Sequence, residues 1–325
     1  MSLPQNLLYA VDVSDTTAEG ELARLGQLRD HSPRRLYASM QELRRRGIVQ
    51  ARGRQRAVLP QAIANRLAGL AIQDTPPDDL DRFVQTLPDR MLTSLTRRLG
   101  YLHHNAAVRE TAARWMQPDG PLGDLLNGSK RGIERMAHLA PVAPAETLRR
   151  IRQVLDGPNG IDIVSTEYRL RYRWTHLLRS LAYDAELFEE AADLLVRFVL
   201  AEPEDYNHDP ARETFGELFW IVLSGTHATP AQRRALAKTL LTSDSPDLQD
   251  AGRTALDALL ETRWFSSTHN FEFGTRSRDF GWAPQSRTDE AEWFNGAIHL
   301  AVEVYRQETE VRPLVAKHAR GLWGA

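Results

Sequence analysis

Residues 32–59 have the sequence SPRRLYASMQELRRRGIVQARGRQRAVL, in which signals for a helix and for a hairpin follow each other directly. Ser32 followed by Pro33 predicts a helix start, because serine caps free N–H groups and proline is tolerated in the first turn. Gly47 favours the left-handed conformation that ends a helix. Between these signals, apolar residues recur at helical spacing, at Leu36, Met40 and Leu43.

The residues on either side of this helix complete a small domain. Two short β-prone runs, 48–51 and 56–59, surround a turn with Gly53 at its centre and predict a hairpin. Further helices are predicted at 19–28 and 61–70. The order helix, turn, helix and two-stranded hairpin is that of a winged helix, and we predict a winged-helix domain over residues 1–72.

The next 190 or so residues have the pattern of successive helices. Residues 73–81 contain two prolines and four acids and predict a linker. Helices with apolar stripes then follow with short polar breaks; the clearest stripe is Leu170, Trp174, Leu177, Leu178 and Leu181. Helices are also predicted near 88–102, 106–116, 130–139, 145–155, 187–199, 211–223, 230–241 and 247–261. Pairing at roughly 40-residue spacing predicts an α-solenoid of HEAT- or armadillo-like hairpins over 73–262, with an irregular bundle as the alternative.

Residues 263–325 have a different composition. The part up to Trp282 has no helical period and is rich in aromatic residues, glycine and arginine, and a capping helix is predicted at about 289–308. Arginine and aromatic residues dominate binding hot spots, so this loop is a candidate partner-binding edge. The candidate residues are Arg276, Arg278, Asp279, Phe280 and Trp282. The alternative is that the arginines close the helical array by binding backbone carbonyl groups.

Composition sets limits on the class of protein. The chain has 325 residues, a net charge of −2 and no cysteine, which excludes disulfides and thiolate metal sites and is consistent with a reducing compartment. No apolar run approaches the roughly 18 residues needed to cross a membrane, and no signal peptide is apparent at the N-terminus. We therefore expect a cytoplasmic protein, of bacterial type, that does not contact membranes. A basic stretch at 29–56 and an acidic stretch at 184–214 suggest two interaction faces.

Catalytic motifs are mostly missing from the sequence. The stretch from Gly123 to Lys130 approximates a phosphate-binding loop, but the lysine stands one residue too late, and a loop with a helix cap is the better interpretation. Metal ligands could come only from histidines and carboxylates, and His103-His104 and His208-Asp209 are more consistent with surface or packing roles. Catalysis by His269, Glu272 or Asp279 has no supporting spacing. We predict no catalytic residue, metal or cofactor.

Basic residues in the first domain allow a DNA-binding interpretation. Candidate residues for nucleic-acid or domain contact are Arg34, Arg35, Arg44, Arg45, Arg46, Arg52, Arg54 and Arg56. Such side chains neutralise phosphates or read guanine edges. Three of them, however, crowd the last turn of the helix, where cations also favour the helix dipole. Structural and protein-contact roles are therefore favoured over DNA. Similarly, Trp174 within the basic and aromatic run 168–174 is predicted to lie in the core.

Four segments resemble the part of bacterial NLR-like STAND NTPases of antiphage defence that follows the ATPase domain. They are LRRRGIVQARGRQRAVLPQAIANRL at 43–67, LTRRLGYLH at 95–103, LSGTHATP at 223–230 and FGTRSRDFGW at 273–282. The resemblance implies a winged helix followed by a helical sensor of a foreign molecule. The chain departs from the class because it has neither a P-loop nor a Walker B strand, so no ATPase residue carries over.

Three functional hypotheses follow. The first is a non-catalytic regulatory or ligand-sensing module in defence or signalling, which binds a protein partner or a foreign protein and works with an ATPase domain in cis or in trans. The second is a winged-helix DNA-binding transcriptional regulator with a helical sensor domain. The third is an enzyme centred on residues 263–282. The sequence favours the first.

Overall fold

The computed structural model describes residues 7–28, 30–203, 206–208, 210–267, 272–305 and 310–322. The protein is mostly helical, with sixteen α-helices and one three-stranded antiparallel sheet within these ranges. The chain divides into two compact units, residues 1–150 with 273–276, and residues 151–272 with 277–325. The limits of these two units differ from the predicted domain boundaries at 72 and 262, and those domain boundaries stay predictions.

The first unit begins with six elements, of which all but the first were predicted. They are β1 (Val11–Asp12), α1 (Glu21–Gln27), α2 (Pro33–Arg45), β2 (Val49–Arg52), β3 (Gln55–Val58) and α3 (Gln61–Gln73). The Ser32 side chain caps α2 by accepting from the Arg35 N–H, at 3.3 Å. Gly47 has a φ of 72°, and the adjacent Ile48 N–H donates to the Leu43 carbonyl to close the helix. Both predicted helix-end signals are confirmed.

The sheet has the order β1-β3-β2. The predicted hairpin is confirmed, because β2 pairs with β3 in the register Val49 opposite Val58 and Arg52 opposite Gln55. Strand β1 was not predicted; it has only two residues, opposite Arg56 and Gln55. A two-residue strand lacks the alternation from which a strand can be recognised.

The remaining helices of the first unit are α4 (Pro77–Gln85), α5 (Asp89–Leu99), α6 (Ala106–Trp115), α7 (Lys130–Leu139) and the first part of α8 (Pro144–Leu155), within which the division falls. Helix α4 corrects the predicted linker at 73–81. Pro77 is its first residue and Asp78 and Asp79 lie in its first turn, where a proline costs no hydrogen bond and acids favour the helix dipole. Features taken as linker composition are therefore helix-start signals.

The second unit contains the remaining eight helices of the described residues. They are α9 (Gly160–Val164), α10 (Arg171–Leu181), α11 (Phe188–Leu200), α12 (Ala211–Glu217), α13 (Pro230–Leu241), α14 (Pro246–Leu260), α15 (Arg287–Val304) and α16 (Val311–Leu322). Helices α10 and α11 pack on each other, as do α11 and α12, and α13 and α14. Trp174 on α10 is fully buried, as predicted. Helix α16 was not predicted.

Helix α12 is shorter than its predicted range of 211–223, and this difference creates the loop that positions the site. Leu223 and Gly225 both have positive φ, which is incompatible with continuing a right-handed helix. The backbone from Gly225 to His227 instead hydrogen-bonds outside its own segment, to Phe280, Trp282 and Tyr183.

No helix in the described ranges is long and apolar enough to cross a membrane.

Candidate functional site

The predicted partner-binding residues are divided between the two units. Phe273–Arg276 belongs to the first unit, where the Phe273 side chain is buried and the Thr275 hydroxyl lies 3.1 Å from the Tyr101 carbonyl oxygen. The same hydroxyl lies 3.1 Å from His103 Nδ1, and burial, followed by the positive charge of Arg276, lowers the pKa of His103. Arg276 is half-buried. Arg276 therefore belongs to a different unit from the other four candidates.

Asp279, in the second unit, is the centre of a polar cluster. Its Oδ1 atom accepts hydrogen bonds from His227 Nε2 at 2.9 Å, from the Tyr183 hydroxyl at 3.1 Å and from the Gly281 N–H at 2.8 Å. The rings of Tyr183 and His227 meet edge to face at 4.9 Å between centroids. Because an ionised carboxylate can only accept, the hydrogen bond to Asp279 requires a proton on Nε2 of His227.

The cluster places a negative charge at the surface. Burial opposes ionisation of Asp279, but hydrogen bonds from Gly281 and Tyr183, together with the charge of His227, hold its pKa below the ordinary value. Burial raises the pKa of the Tyr183 hydroxyl. At neutral pH Asp279 is therefore ionised and Tyr183 keeps its proton. The Asp279 side chain is 64% exposed, so the carboxylate is accessible to a partner.

The Arg278 side chain, unlike that of Asp279, is directed toward the end of α10. Its Nη1 donates to the Ser180 carbonyl oxygen at 2.7 Å, and its guanidinium carbon lies 4.2 Å from the centroid of the Tyr183 ring. The last carbonyl groups of a helix have no partner within the helix, and a cation there also favours the helix dipole. Arg278 therefore has the carbonyl-binding role that the sequence left as an alternative.

Residues 280–282 are held in place by backbone hydrogen bonds to residues 225 and 226. The Gly225 N–H donates to the Phe280 carbonyl and the Trp282 N–H to the Thr226 carbonyl, both at 2.8 Å. Gly281 has a φ of 88°, and a Cβ atom there would collide with the backbone of Thr226. Only glycine fits this position without strain. The segment is thus fixed, while 60% of the Phe280 side chain stays exposed.

Trp282 packs inward, on a group of residues that the sequence did not single out. Its ring stacks on Trp293 of α15 at 5.3 Å, and the guanidinium carbon of Arg233 lies 5.2 Å from the Trp293 ring centroid and 5.8 Å from that of Trp282. Arg233 is fully buried and donates to the carbonyl groups of Ala228, Trp220 and Thr226. Burial lowers its pKa to about 9. Trp282 is therefore a packing residue.

The enzymatic alternative named three residues of this part of the chain. His269 lies outside the described residues. Glu272 is exposed and belongs to the second unit, and Asp279 contacts His227 and Tyr183 as described above. His227 and Tyr183 were missed by the sequence reasoning because they lie 52 and 96 residues from Asp279.

The candidate arginines of the first unit are exposed to different degrees and differ in their partners. Arg34 and Arg35, in the first turn of α2, and Arg44, near its end, are exposed. Arg45 and Arg46 both pair with Glu42, at 2.7 and 2.8 Å.

On the hairpin, Arg54 pairs with Asp12 at 2.9 Å, and Arg56 donates to the carbonyl groups of Gly53 and Gln55. Arg52 is exposed. The positive charge that these arginines could offer to a nucleic acid is thus partly neutralised on the hairpin and at the end of α2.

The remaining motifs occupy structural positions. Lys130 is the first residue of α7, and the preceding Ser129 caps that helix by accepting from the Gly132 N–H at 3.1 Å, which confirms the predicted helix cap. The rings of His103 and His104 meet edge to face at 5.5 Å. Within the described ranges, no group of three or more histidine or carboxylate side chains is arranged to hold a metal ion. Asp209, beside His208, lies outside those ranges.

The predicted acidic face at 184–214 contains a buried member. Glu202 forms an ion pair with Arg171 at 2.6 Å, and the side chains expose only 2% and 4% of their surface. Glu202 also accepts from the N–H groups of Ala211 and Arg212 and so caps α12. Arg171 belongs to the basic and aromatic run 168–174, but its burial was not predicted; it forms a polar stripe with Thr175 and Arg179 at i, i+4 and i+8, which could have indicated buried cations.

Comparison with known proteins identifies no relative from which a role could be transferred. No protein-family model matches this chain, no curated protein matches it, and no solved structure matches it. The functional interpretation therefore rests on the geometry of its own residues.

Proposed function

We propose that the chain is a non-catalytic regulatory or ligand-sensing module that binds a protein partner through Phe280 and Asp279. These two residues and their supports Tyr183, His227 and Arg278 are called the loop face below. The observation that carries the proposal is the 60% exposure of a phenylalanine on a backbone fixed by two hydrogen bonds. An exposed aromatic side chain on a rigid segment suits a binding anchor, because little conformational freedom is lost when a partner covers it.

The chemistry of the loop face specifies the partner. Phe280 needs an apolar pocket, and the exposed carboxylate of Asp279 favours a lysine or arginine beside that pocket. Hydrogen bonds of Tyr183, His227 and Arg278 hold the loop backbone and the Asp279 carboxylate in place. We therefore infer a folded protein partner, with a cation next to an apolar depression, as the molecule that the loop face binds.

The architecture implied by this function is also a proposal. Helices α1 to α3 with the hairpin support a winged helix over residues 1–72, and the packing of α10 on α11, α11 on α12 and α13 on α14 supports a HEAT- or armadillo-like solenoid. The STAND-like segments at 43–67 and 273–282 further suggest that the module works with an ATPase domain, in cis or in trans, in the cytoplasm. A foreign protein is then the expected signal.

A DNA-binding regulator is the second candidate. It is supported by Arg34 and Arg35, which are exposed in the first turn of α2, where recognition helices contact bases. The pairing of Arg45, Arg46 and Arg54 with carboxylates weakens it. A sequence-selective complex with duplex DNA that survives physiological salt would put this candidate first.

A photo-crosslinking residue at position 280 tests the proposed function. The matched control carries the same residue at position 161, because Ile161 is an apolar side chain of the same unit that is 83% exposed. We expect one specific protein adduct from position 280 and none from position 161. The captured partner is then titrated with purified wild-type chain, Phe280→Ala and Ile161→Ala.

Truncation of an anchor typically costs 2 kcal/mol or more, so Phe280→Ala should weaken binding at least about thirtyfold. Asp279→Asn should weaken binding in low salt more than in high salt, because it removes a surface charge. Ile161→Ala should bind like the wild type. Equal affinity of Phe280→Ala and wild type for the captured partner would rule out the loop face as its binding site.

A further inference from the structure

The first unit contains a cavity of about 350 Å³ beside the hairpin. Its lining comes from β2 and β3, from the residues that precede β1, and from the last turn of α5. This volume is at the lower end of the range of roughly 300–1,000 Å³ for small-molecule sites. The basic and aromatic lining residues are Tyr9, Arg52, Arg56, Arg97 and Arg98.

The charge of this cavity has one sign. Four arginines line it, and no carboxylate is among its lining residues in the described part of the chain. Nearby acids act elsewhere: Asp12 pairs with Arg54, which is not a lining residue. Gln50 and Gln55 contribute side-chain amides to the same lining. Such a set offers many hydrogen-bond donors and a strongly positive potential.

The positive charge of Arg98 is buried, and its burial is energetically costly. It is only 2% exposed; its Nη1 donates to Asn65 Oδ1 at 2.6 Å and its Nη2 to the Leu8 carbonyl at 3.4 Å. Its buried Nε has no acceptor among the described residues. Burial lowers the pKa of Arg98 to about 10. A buried cation that is held by neutral acceptors is destabilising, and an anion in the adjoining cavity would offset that cost.

The guanidinium groups are held in place by an aromatic support. The guanidinium carbons of Arg97 and Arg98 lie 4.1 and 5.3 Å from the centroid of the Tyr9 ring. The Tyr101 ring in turn stacks on Tyr9 at 6.0 Å. Stacking restricts the two arginine side chains before any ligand arrives, so little entropy is lost on binding.

We propose that this cavity binds a compact anion with two or more phosphate charges, such as pyrophosphate or the diphosphate group of a small metabolite. Arg98 supplies the buried charge, Arg97 and Arg56 flank it, and Arg52 closes the ligand from the hairpin. Arginine suits this role because its fork of N–H donors matches phosphate oxygens in pairs. The site lies in the first unit, so it is independent of the loop face.

Calorimetric titration with inorganic pyrophosphate at constant ionic strength tests the site. The test variant is Arg52→Ala/Arg97→Ala, because both side chains are exposed. The matched control is Arg34→Ala/Arg35→Ala, which removes the same charge from exposed positions of the same unit that do not line the cavity. Thermal melts of both variants verify that they fold.

We expect saturable binding of one pyrophosphate by the wild type and the control, and at least about tenfold weaker binding by the test variant. Equal loss in both variants would show that only general positive charge attracts the anion, and the site would be withdrawn. Titration with a duplex of random sequence forms the second arm. If the duplex binds and pyrophosphate does not, the arginines serve nucleic-acid phosphates and the proposal is wrong.

Discussion

Arg179 and Glu217 form an ion pair, with 2.7 Å between Nη1 and Oε2, in which the side chains expose 1% and 9% of their surface. Ser267 completes the arrangement, because its hydroxyl lies 3.4 Å from Arg179 Nη2 and 3.3 Å from Glu217 Oε2. The pair joins α10 to α12 within the second unit. Arg179 also directly precedes Ser180, whose carbonyl oxygen accepts from Arg278 of the loop face.

Breaking this pair should destabilise the second unit. In Arg179→Met a carboxylate is left in a buried position without its cation, and we expect a loss of roughly 3–5 kcal/mol in the free energy of unfolding. Urea denaturation measures this loss. Arg179→Met/Glu217→Gln removes both charges and should recover part of the stability, since buried pairs can be replaced by neutral groups at little cost.

The double variant can also contradict the prediction that the two residues are coupled. If the losses of Arg179→Met and Glu217→Gln simply add in the double variant, the two residues are not coupled energetically. The control is Arg197→Met, because Arg197 pairs with Asp156 while 35% exposed, and an exposed pair is worth about 0–1 kcal/mol.

His138 should make the first unit sensitive to acid. Burial lowers the pKa of this imidazole from 6.5 to about 4, and Nδ1 lies 3.2 Å from the Thr96 hydroxyl. The unfolded chain takes up a proton near pH 6.5, whereas the folded chain resists it. Stability contributed by neutral His138 is therefore complete above pH 6.5 and is lost as the pH falls toward 4. The expected loss is roughly 3 kcal/mol.

Denaturation at a series of pH values measures this effect. His138→Gln cannot titrate, so its free energy of unfolding should change less than that of the wild type between pH 6.5 and 4. His299, on α15 of the second unit, provides the control variant His299→Gln, which should retain the wild-type profile. If His138→Gln has the same pH dependence as the wild type, another group is responsible.

Most of the helices could be predicted because their signals are local. Apolar spacing and helix-start residues located α2, α10, α13 and α14 within one or two residues at most ends. The predictions for α12 and α4 were less accurate. Helix α12 ends before its predicted end at 223, and Leu223 has a positive φ that a right-handed helix does not allow. Helix α4 was missed because its prolines and acids also fit a linker.

The candidate site could be predicted only in part. The composition of residues 276–282 identified an unusual segment, but periodicity gives no direction for side chains in a loop. Arg278 and Trp282 face inward and Asp279 and Phe280 outward, and this follows from pairing with residues more than fifty positions away. Likewise, the cavity beside the hairpin combines Tyr9 with arginines from 52 to 98, which no local pattern connects.

Duplex DNA should bind the chain weakly and without sequence preference. Arg45, Arg46 and Arg54, three of the eight candidate arginines, are already paired with carboxylates, which reduces the charge available to replace counter-ions on phosphates. Fluorescence anisotropy over a range of salt concentrations should give affinity that falls steeply with salt. In Arg34→Ala/Arg35→Ala the slope of log affinity against log salt should fall by up to about two. A selective complex at physiological salt would contradict this expectation.

Arg278 and Phe280 are two residues apart, but only Arg278 should contribute substantially to stability. Arg278→Ala removes the hydrogen bond to the Ser180 carbonyl and the contact with the Tyr183 ring, and we expect a loss of roughly 1–3 kcal/mol. Phe280→Ala truncates an exposed side chain, so the free energy of unfolding should change by no more than about 0.5 kcal/mol. Thermal melts and urea denaturation of the two variants measure the difference.

The comparison separates the structural part of the loop face from its binding part. Arg278→Lys keeps the charge but not the planar group over the Tyr183 ring, so it should fall between Arg278→Ala and the wild type. A melting temperature of Arg278→Ala within a degree or two of the wild type would assign Arg278 to partner contact instead. Because Arg278 reaches a carbonyl at the end of α10 while Phe280 is mainly exposed, we expect stability to depend on Arg278 and partner affinity on Phe280.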